Sequence, residues 1–128
     1  HVLLSILTAA RANGLLAIDG PFSDLGNESG LKRRSQLSAS IGYDGKWVIH
    51  PSQIELVNSI FTPSQEVFEK SCKIMAHFNQ SAGSEKSAGA FLYEGKMIDE
   101  ATRKMAEMIY SKGIAAGLKI PLNGDNNG

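Results

Sequence analysis

The chain has 128 residues, 42% of them hydrophobic and 20% charged, the mixture of a globular domain and a length that points to one core. Thirteen basic residues balance thirteen acidic ones, so a net charge of zero offers no long-range attraction to nucleic acid or to an anionic membrane. A single cysteine, Cys72, excludes an internal disulfide and a cysteine-built zinc site, and is the usage of a reducing, cytoplasmic compartment.

Val2, Leu3, Ile6, Leu7 and Ala10 recur at helical spacing, and Gly14 is a natural stop. The apolar run that follows breaks at Asp19-Gly20-Pro21, which predicts a buried parallel strand over 15–19. A helix is expected over 29–41, with Leu31, Leu37 and Ile41 inward and Lys32, Arg33 and Arg34 on its polar side. Gly42 ends it, and a turn at 43–45 leads into a second strand over 46–50, stopped by Pro51. Strand, helix and strand make a βαβ pattern.

After Pro51 the periodicity turns helical. Ile54, Val57 and Phe61 form one apolar face. Thr62 is the expected N-cap of the next helix, with Pro63 at its first position, Gln65 closing a capping box, and Val67, Ile74, Met75 and Phe78 inward. A Ser/Gly/Lys linker over 81–89 precedes a hairpin over 90–98 that turns at Glu94-Gly95. A last helix runs from Asp99 to about Ala116 on Met105, Met108 and Ile109, and the tail over 119–128 is expected to be disordered. Two parallel strands alone leave unpaired edges, and the chain opens in mid-helix without a methionine. The expectation is therefore a piece of a longer domain whose other strands precede His1.

Three segments resemble the family of the citrate lyase β subunit and malyl-CoA lyase, within the HpcH/HpaI aldolases. They are Ala17-Ile18-Asp19-Gly20-Pro21-Phe22-Ser23-Asp24; Gly45-Lys46-Trp47-Val48-Ile49-His50-Pro51-Ser52-Gln53-Ile54, with Asn58 and Phe61-Thr62-Pro63-Ser64 beyond; and Gly95-Lys96-Met97-Ile98-Asp99. Their order and spacing carry the resemblance, which spans most of the chain and is closer to the malyl-CoA (β-methylmalyl-CoA) lyase branch. It implies an α/β fold, the C-terminal part of a (β/α)₈ TIM barrel. Residues 1–61 would hold the seventh and eighth strands, and 62–118 a mainly helical lid extension. Asp19 and His50 would then lie on the rim where such barrels place their sites.

The implied reaction is magnesium-dependent cleavage of a 3-hydroxyacyl-CoA, such as malyl-CoA or β-methylmalyl-CoA, into glyoxylate and an acyl-CoA. The enolate of the thioester needs a carboxyl group to exchange a proton with the acyl carbon and a cation to hold the oxo acid. The resemblance maps the proton-transfer residue onto Asp99, on a lid exchanged between subunits of a homo-oligomer. It places the Mg²⁺ ligands on earlier strands, outside this chain. Asp19, Pro21, Lys46, Trp47, His50 and Pro51 are candidates for the acyl-CoA side of the site.

Each residue also has a structural role to set beside the functional one. Asp99 fits an N-cap, His50 a strand-end residue bonded to backbone, and Trp47 a packing residue. Lys32, Arg33 and Arg34 fit a solvated face, Cys72 helix packing, and Asp19 and Asp24 rim and turn aspartates. The alternatives to the lyase are a citrate lyase β subunit, a malyl-CoA thioesterase on the same scaffold, and a non-catalytic lid or oligomerisation module.

Overall fold

The computed structural model describes residues 1–81, 91–93 and 95–121. Its contacts divide the chain into two compact units, His1–Phe61 and Thr62–Gly128, in place of one core.

The first unit begins with α1, Val2–Ala12, followed by β1, Ile18–Asp19, and α2, Glu28–Ile41. Then come β2, Gly45–Lys46, a 3₁₀ turn over Pro51–Gln53, and α3, Ile54–Phe61. The two strands pair in parallel, Ile18 with Gly45 and Asp19 with Lys46. Asp44 N–H to the Ala17 carbonyl and Trp47 N–H to the Asp19 carbonyl, each 2.9 Å, extend the pairing by one bond at either end. Both strands are shorter than the expected 15–19 and 46–50. No third strand pairs with either among the described residues, so the ladder stops where their mutual bonds stop. Leu15, Leu16, Ile18, Trp47 and Ile49 are exposed in consequence.

The helices of this unit fall where expected, but on different faces. In α1 it is Leu3, Leu7 and Ala10 that are partly covered, while Val2 and Ile6 face outward. In α2, Leu31 is buried as expected, but Leu37 is 47% exposed and the inward stripe continues through Ser35 and Ser38. Small hydroxyl residues suit this position, because they let the helix approach its neighbours while each hydroxyl keeps a carbonyl of its own helix within reach. Ser35 Oγ donates to the Leu31 carbonyl at 2.8 Å, and Ser38 Oγ lies 3.1 Å from the Ser35 carbonyl. Asn27 caps the helix, its Oδ1 accepting from Gly30 N–H at 2.8 Å. Gly42 closes it at φ +106°, a left-handed conformation that other residues rarely take. Tyr43 is buried, and its hydroxyl donates to the Leu3 carbonyl at 2.9 Å, tying α1 to the end of α2.

The second unit holds α4, Gln65–Ser81, the hairpin β3, Phe91–Tyr93, with β4, Lys96–Ile98, and α5, Glu100–Ala115. The hairpin pairs Phe91 with Ile98 and Tyr93 with Lys96, as its sequence implied, although Glu94 and Ala90 lie outside the described residues. So do the linker from Ala82 to Gly89 and the tail from Leu122 onward. Helix α4 starts later than its Thr-Pro signal suggested. Ser64 is the capping residue, its Oγ accepting from Val67 N–H at 3.3 Å. Gln65 closes no capping box; its Nε2 donates to Glu69 and to the Lys119 carbonyl.

The packing of this unit is set by Phe68, which is fully buried where Val67 had been expected. The buried stripe runs Phe68, Ser71 and Ile74, with Met75 and Phe78 partly covered against Ile98 and Ala106. Phe68 stacks on Tyr110 with ring centres 5.9 Å apart, worth about 1 kcal/mol beyond its burial. A side-chain carbon at Gly113 would overlap the Phe68 ring, so this glycine is what lets the helices approach there. Phe68, near the start of α4, meets Gly113, near the end of α5, while Ile74 meets Ala106; the two helices are antiparallel. Met105 and Met108, the expected inward face of α5, are exposed. The true face lies one residue on, at Ala106 and Gly113 with Ile109 and Tyr110 beside them.

Candidate functional site: the strand rim and the capped hairpin

The C-terminal ends of β1 and β2 carry the densest polar arrangement of the first unit. Asp19 and Lys46 are partners in the strand register, and their side chains meet above it at 2.7 Å. Both are nearly inaccessible, with side-chain exposures of 5% and 2%. Lys46 Nζ also donates to the Gly20 carbonyl at 2.7 Å, and Gly20 N–H donates to Asp19 Oδ1 at 2.9 Å. Burial pulls the Asp19 carboxyl upward, but hydrogen bonding from Lys46 and Ser38, with the Lys46 charge, outweighs it and leaves the group below the usual carboxylate range. Asp19 is thus a structural anion, already paired.

Two further ties hold the strands and the loops beyond them. On one side Asp44 accepts from Arg11 at 2.8 Å and from Ala17 N–H at 2.8 Å, while Arg11 also reaches the Leu15 and Gly42 carbonyls. Hydrogen bonding to Asp44 is the leading cause of the raised Arg11 pKa. On the other side, buried Gln53 accepts from Ile49 N–H at 3.0 Å and donates to the Phe22 carbonyl at 2.8 Å. His50 caps the 3₁₀ turn, its Nδ1 accepting from Ser52 N–H at 3.2 Å and lying 2.8 Å from Ser52 Oγ. This is the backbone role expected of it, although His50 stands beyond the two-residue strand. Pro51 supplies the first position of that turn. Pro21 is exposed, and Trp47 is 64% exposed, with little of its ring covered by the described residues of this chain.

Asp24 and Asn27 frame the entry to α2, where Asn27 N–H donates to the Asp24 carbonyl at 3.1 Å. Lys32, Arg33 and Arg34 are exposed on that helix. Among the described residues no group of three or more His, Cys, Asp or Glu could hold a metal ion. Asp19, the rim carboxylate best placed for one, is occupied by Lys46. The described residues therefore do not fit a magnesium site by themselves. Cys72 is half-buried, and burial pushes its thiol up, away from the thiolate a nucleophile needs.

In the second unit, Asp99 is the N-cap of α5. Its Oδ1 accepts from Thr102 N–H at 2.8 Å and from Thr102 Oγ1 at 2.9 Å. The Thr102 backbone N–H, then its hydroxyl, hold the Asp99 carboxyl below the usual range, so it is ionised at neutral pH. The side chain is exposed, at the junction of the hairpin and the helix. Glu100 and Glu107 both bind Arg103, at 2.8 and 3.1 Å, a surface network on the same helix.

Sequence reasoning placed the rim residues but missed what joins them. The Asp19–Lys46 pair joins two residues considered separately; their positions at the ends of successive strands were the available signal. Gln53 was visible only as part of a motif. Arg11 and Asp44 had no signal, because neither belongs to a motif and their meeting depends on how α1 crosses the sheet.

A strand–helix–strand unit with polar residues gathered beyond parallel strand ends is the arrangement of α/β folds, barrels among them. A family described as C-C bond lyases of the TIM-barrel fold matches residues 5–117, and the chain belongs to it. Among its relatives is the L-malyl-CoA/β-methylmalyl-CoA lyase of Cereibacter sphaeroides, 38% identical over 105 residues that cover 82% of this chain and 32% of that protein. The mitochondrial citramalyl-CoA lyase of Rattus norvegicus is 39% identical over 104 residues, 81% of this chain and 30% of the relative. A crystal structure of protein CitE from Mycobacterium tuberculosis, in complex with magnesium, acetoacetate and coenzyme A, superposes with a TM-score of 0.65 at 34% identity. That match covers 88% of this chain and 40% of CitE. The chain thus spans about a third of the length of the curated relatives it matches. Its fold is part of a TIM barrel with a helical extension.

Proposed function

We propose that this chain contributes part of the active site of a magnesium-dependent CoA-ester carbon–carbon lyase. The reaction divides malyl-CoA or β-methylmalyl-CoA into glyoxylate and an acyl-CoA. The observation that carries the proposal is the identity of 38% to a malyl-CoA/β-methylmalyl-CoA lyase across 82% of the chain. Asp99 is the residue we assign to proton exchange at the acyl carbon. In the condensation direction its carboxylate takes a proton from that carbon, giving the enolate; in cleavage the 3-hydroxyl loses its proton as the carbon–carbon bond breaks, and Asp99, in its protonated form, returns one to the enolate carbon. Its lowered pKa supplies the base form that the condensation direction needs, and the bonds from Thr102 to Oδ1 hold the carboxylate at the head of α5. Pro21, Trp47, His50 and Pro51 would shape the acyl-CoA side, with Asp19 and Lys46 holding the strands beneath them. Magnesium ligands outside this chain, lid exchange within a homo-oligomer and a cytoplasmic setting complete the proposal.

The test measures glyoxylate release from malyl-CoA by the native polypeptide with magnesium, for wild type, Asp99→Asn and Asp99→Ala. Asn keeps an oxygen for the Thr102 cap but cannot exchange a proton. Both variants should lose at least about a hundredfold in kcat, the worth of a general acid–base group. Only Asp99→Ala should also loosen the start of α5. Full activity in Asp99→Asn would remove the proton-transfer role. Thiol release without glyoxylate would point to the thioesterase, and cleavage of a citryl thioester in place of malyl-CoA to the citrate lyase β subunit.

A further inference from the structure

Among the described residues, the buried side chain of Gln53 joins the loops beyond β1 and β2. Gln53 is 3% exposed, and both ends of its carboxamide are used. Oε1 accepts from Ile49 N–H at 3.0 Å, four residues earlier, and Nε2 donates to the Phe22 carbonyl at 2.8 Å, thirty-one residues earlier. The amide is thereby oriented without ambiguity, since its oxygen end faces a donor and its nitrogen end an acceptor. The Asp19–Lys46 pair locks the strands themselves, but it reaches no further than Gly20. Beyond that point Phe22 has no ladder to hold it, and Ile49 lies outside β2. Gln53 spans this gap.

We infer that Gln53 is a positioning residue for the acyl-CoA side of the lyase site. It clamps the Phe22 loop to the Ile49 loop, so that Pro21 on one and Trp47 and His50 on the other keep a fixed spacing. The inference rests on the lyase reading above. A bound thioester gains nothing from Gln53 directly; it gains from meeting both loops already in place, without ordering them on arrival. Loss of the clamp therefore weakens substrate binding more than it slows the chemical step.

The experiment compares the native polypeptide with its Gln53→Glu and Gln53→Met variants. Glu at neutral pH keeps the oxygen that Ile49 needs but turns an acceptor towards the Phe22 carbonyl; Met keeps the volume and removes both bonds. KM for malyl-CoA, or β-methylmalyl-CoA where that is the better substrate, should rise about tenfold, the worth of one buried hydrogen bond, with kcat held. A residue that only stabilises the fold would lower the melting temperature and the active fraction, which reduces apparent kcat and leaves KM alone. Unchanged KM in both folded variants overturns the inference while leaving the lyase reading intact. A wild-type polypeptide that cleaves neither thioester overturns the lyase reading, and the inference with it.

Discussion

Replacing Lys46 by Met tests the rim pair through stability and its sign with pH. Asp19 and Lys46 bury their charged ends almost completely, 2.7 Å apart, and Asp19 relies on Lys46 to remain ionised. Removing the cation leaves a buried carboxylate with only Gly20 N–H and the Ser38 hydroxyl, and leaves the Gly20 carbonyl without its lysine. The expected loss at neutral pH is about 3–5 kcal/mol, the usual cost of breaking one side of a buried pair. In urea unfolding of the native polypeptide this is a midpoint drop of more than about 1 M. The two proteins should differ in pH dependence as well. In the wild type the Asp19 pKa is lowered on folding, so its stabilisation is complete above the unfolded carboxylate range near ~4 and is lost as pH falls through the folded value. In Lys46→Met burial is opposed only by the Gly20 and Ser38 hydrogen bonds and raises that pKa, so the contribution of this group is greatest at low pH and is lost as pH rises through the raised value. The double variant Asp19→Asn, Lys46→Met should recover most of the loss, because no charge remains to be buried. A deficit below about 1 kcal/mol, or one of equal size at pH 4 and pH 7, would refute the reasoning.

Gly113→Ala should destabilise α5 against α4 by about 1–3 kcal/mol, despite the better helix propensity of Ala, because the added carbon overlaps Phe68. Thermal unfolding measures it, and Phe68→Leu in the same chain should return part of the loss by making room. Phe68→Ala alone should cost about 3–5 kcal/mol, since the ring is fully buried and stacked on Tyr110. Asn27→Ala removes the acceptor for Gly30 N–H and should lower stability by about 1 kcal/mol, with faster amide exchange confined to the first turn of α2. Tyr43→Phe should cost about 1 kcal/mol through the bond to the Leu3 carbonyl, and equal stability of this variant would show that solvent replaces the bond without penalty.

The order of elements is legible in the sequence. Helix, strand, helix, strand and then a helical region followed from periodicity, Gly42, Pro51 and the Thr62-Pro63 signal, because spacing and stop residues act within a few residues of themselves. Asp99 at the head of the last helix was legible for the same reason, as a short polar side chain three residues before a backbone N–H that needs an acceptor. His50 bonded to the backbone after Pro-restricted geometry belongs here too.

The faces were not legible. Val2 and Ile6, Leu37, Val67, Met105 and Met108 are as apolar as the residues actually buried, and each lies within a residue or two of the true inward position. Periodicity gives the pitch of an apolar stripe, but the neighbouring element selects its phase. Ser35, Ser38 and Gly113 were chosen for closeness, which no hydropathy pattern reports. Strand length was undetermined for a related reason, since a strand persists only as far as a partner offers hydrogen bonds. What the sequence by itself determined was therefore the set of local structures and the polar residues at their ends. Only tertiary structure decided that Asp19 meets Lys46, that Asp44 meets Arg11 and that Gln53 reaches Phe22, because each of those bonds joins residues about thirty positions apart. Chain crossing, not local preference, brings such residues within 3 Å of each other.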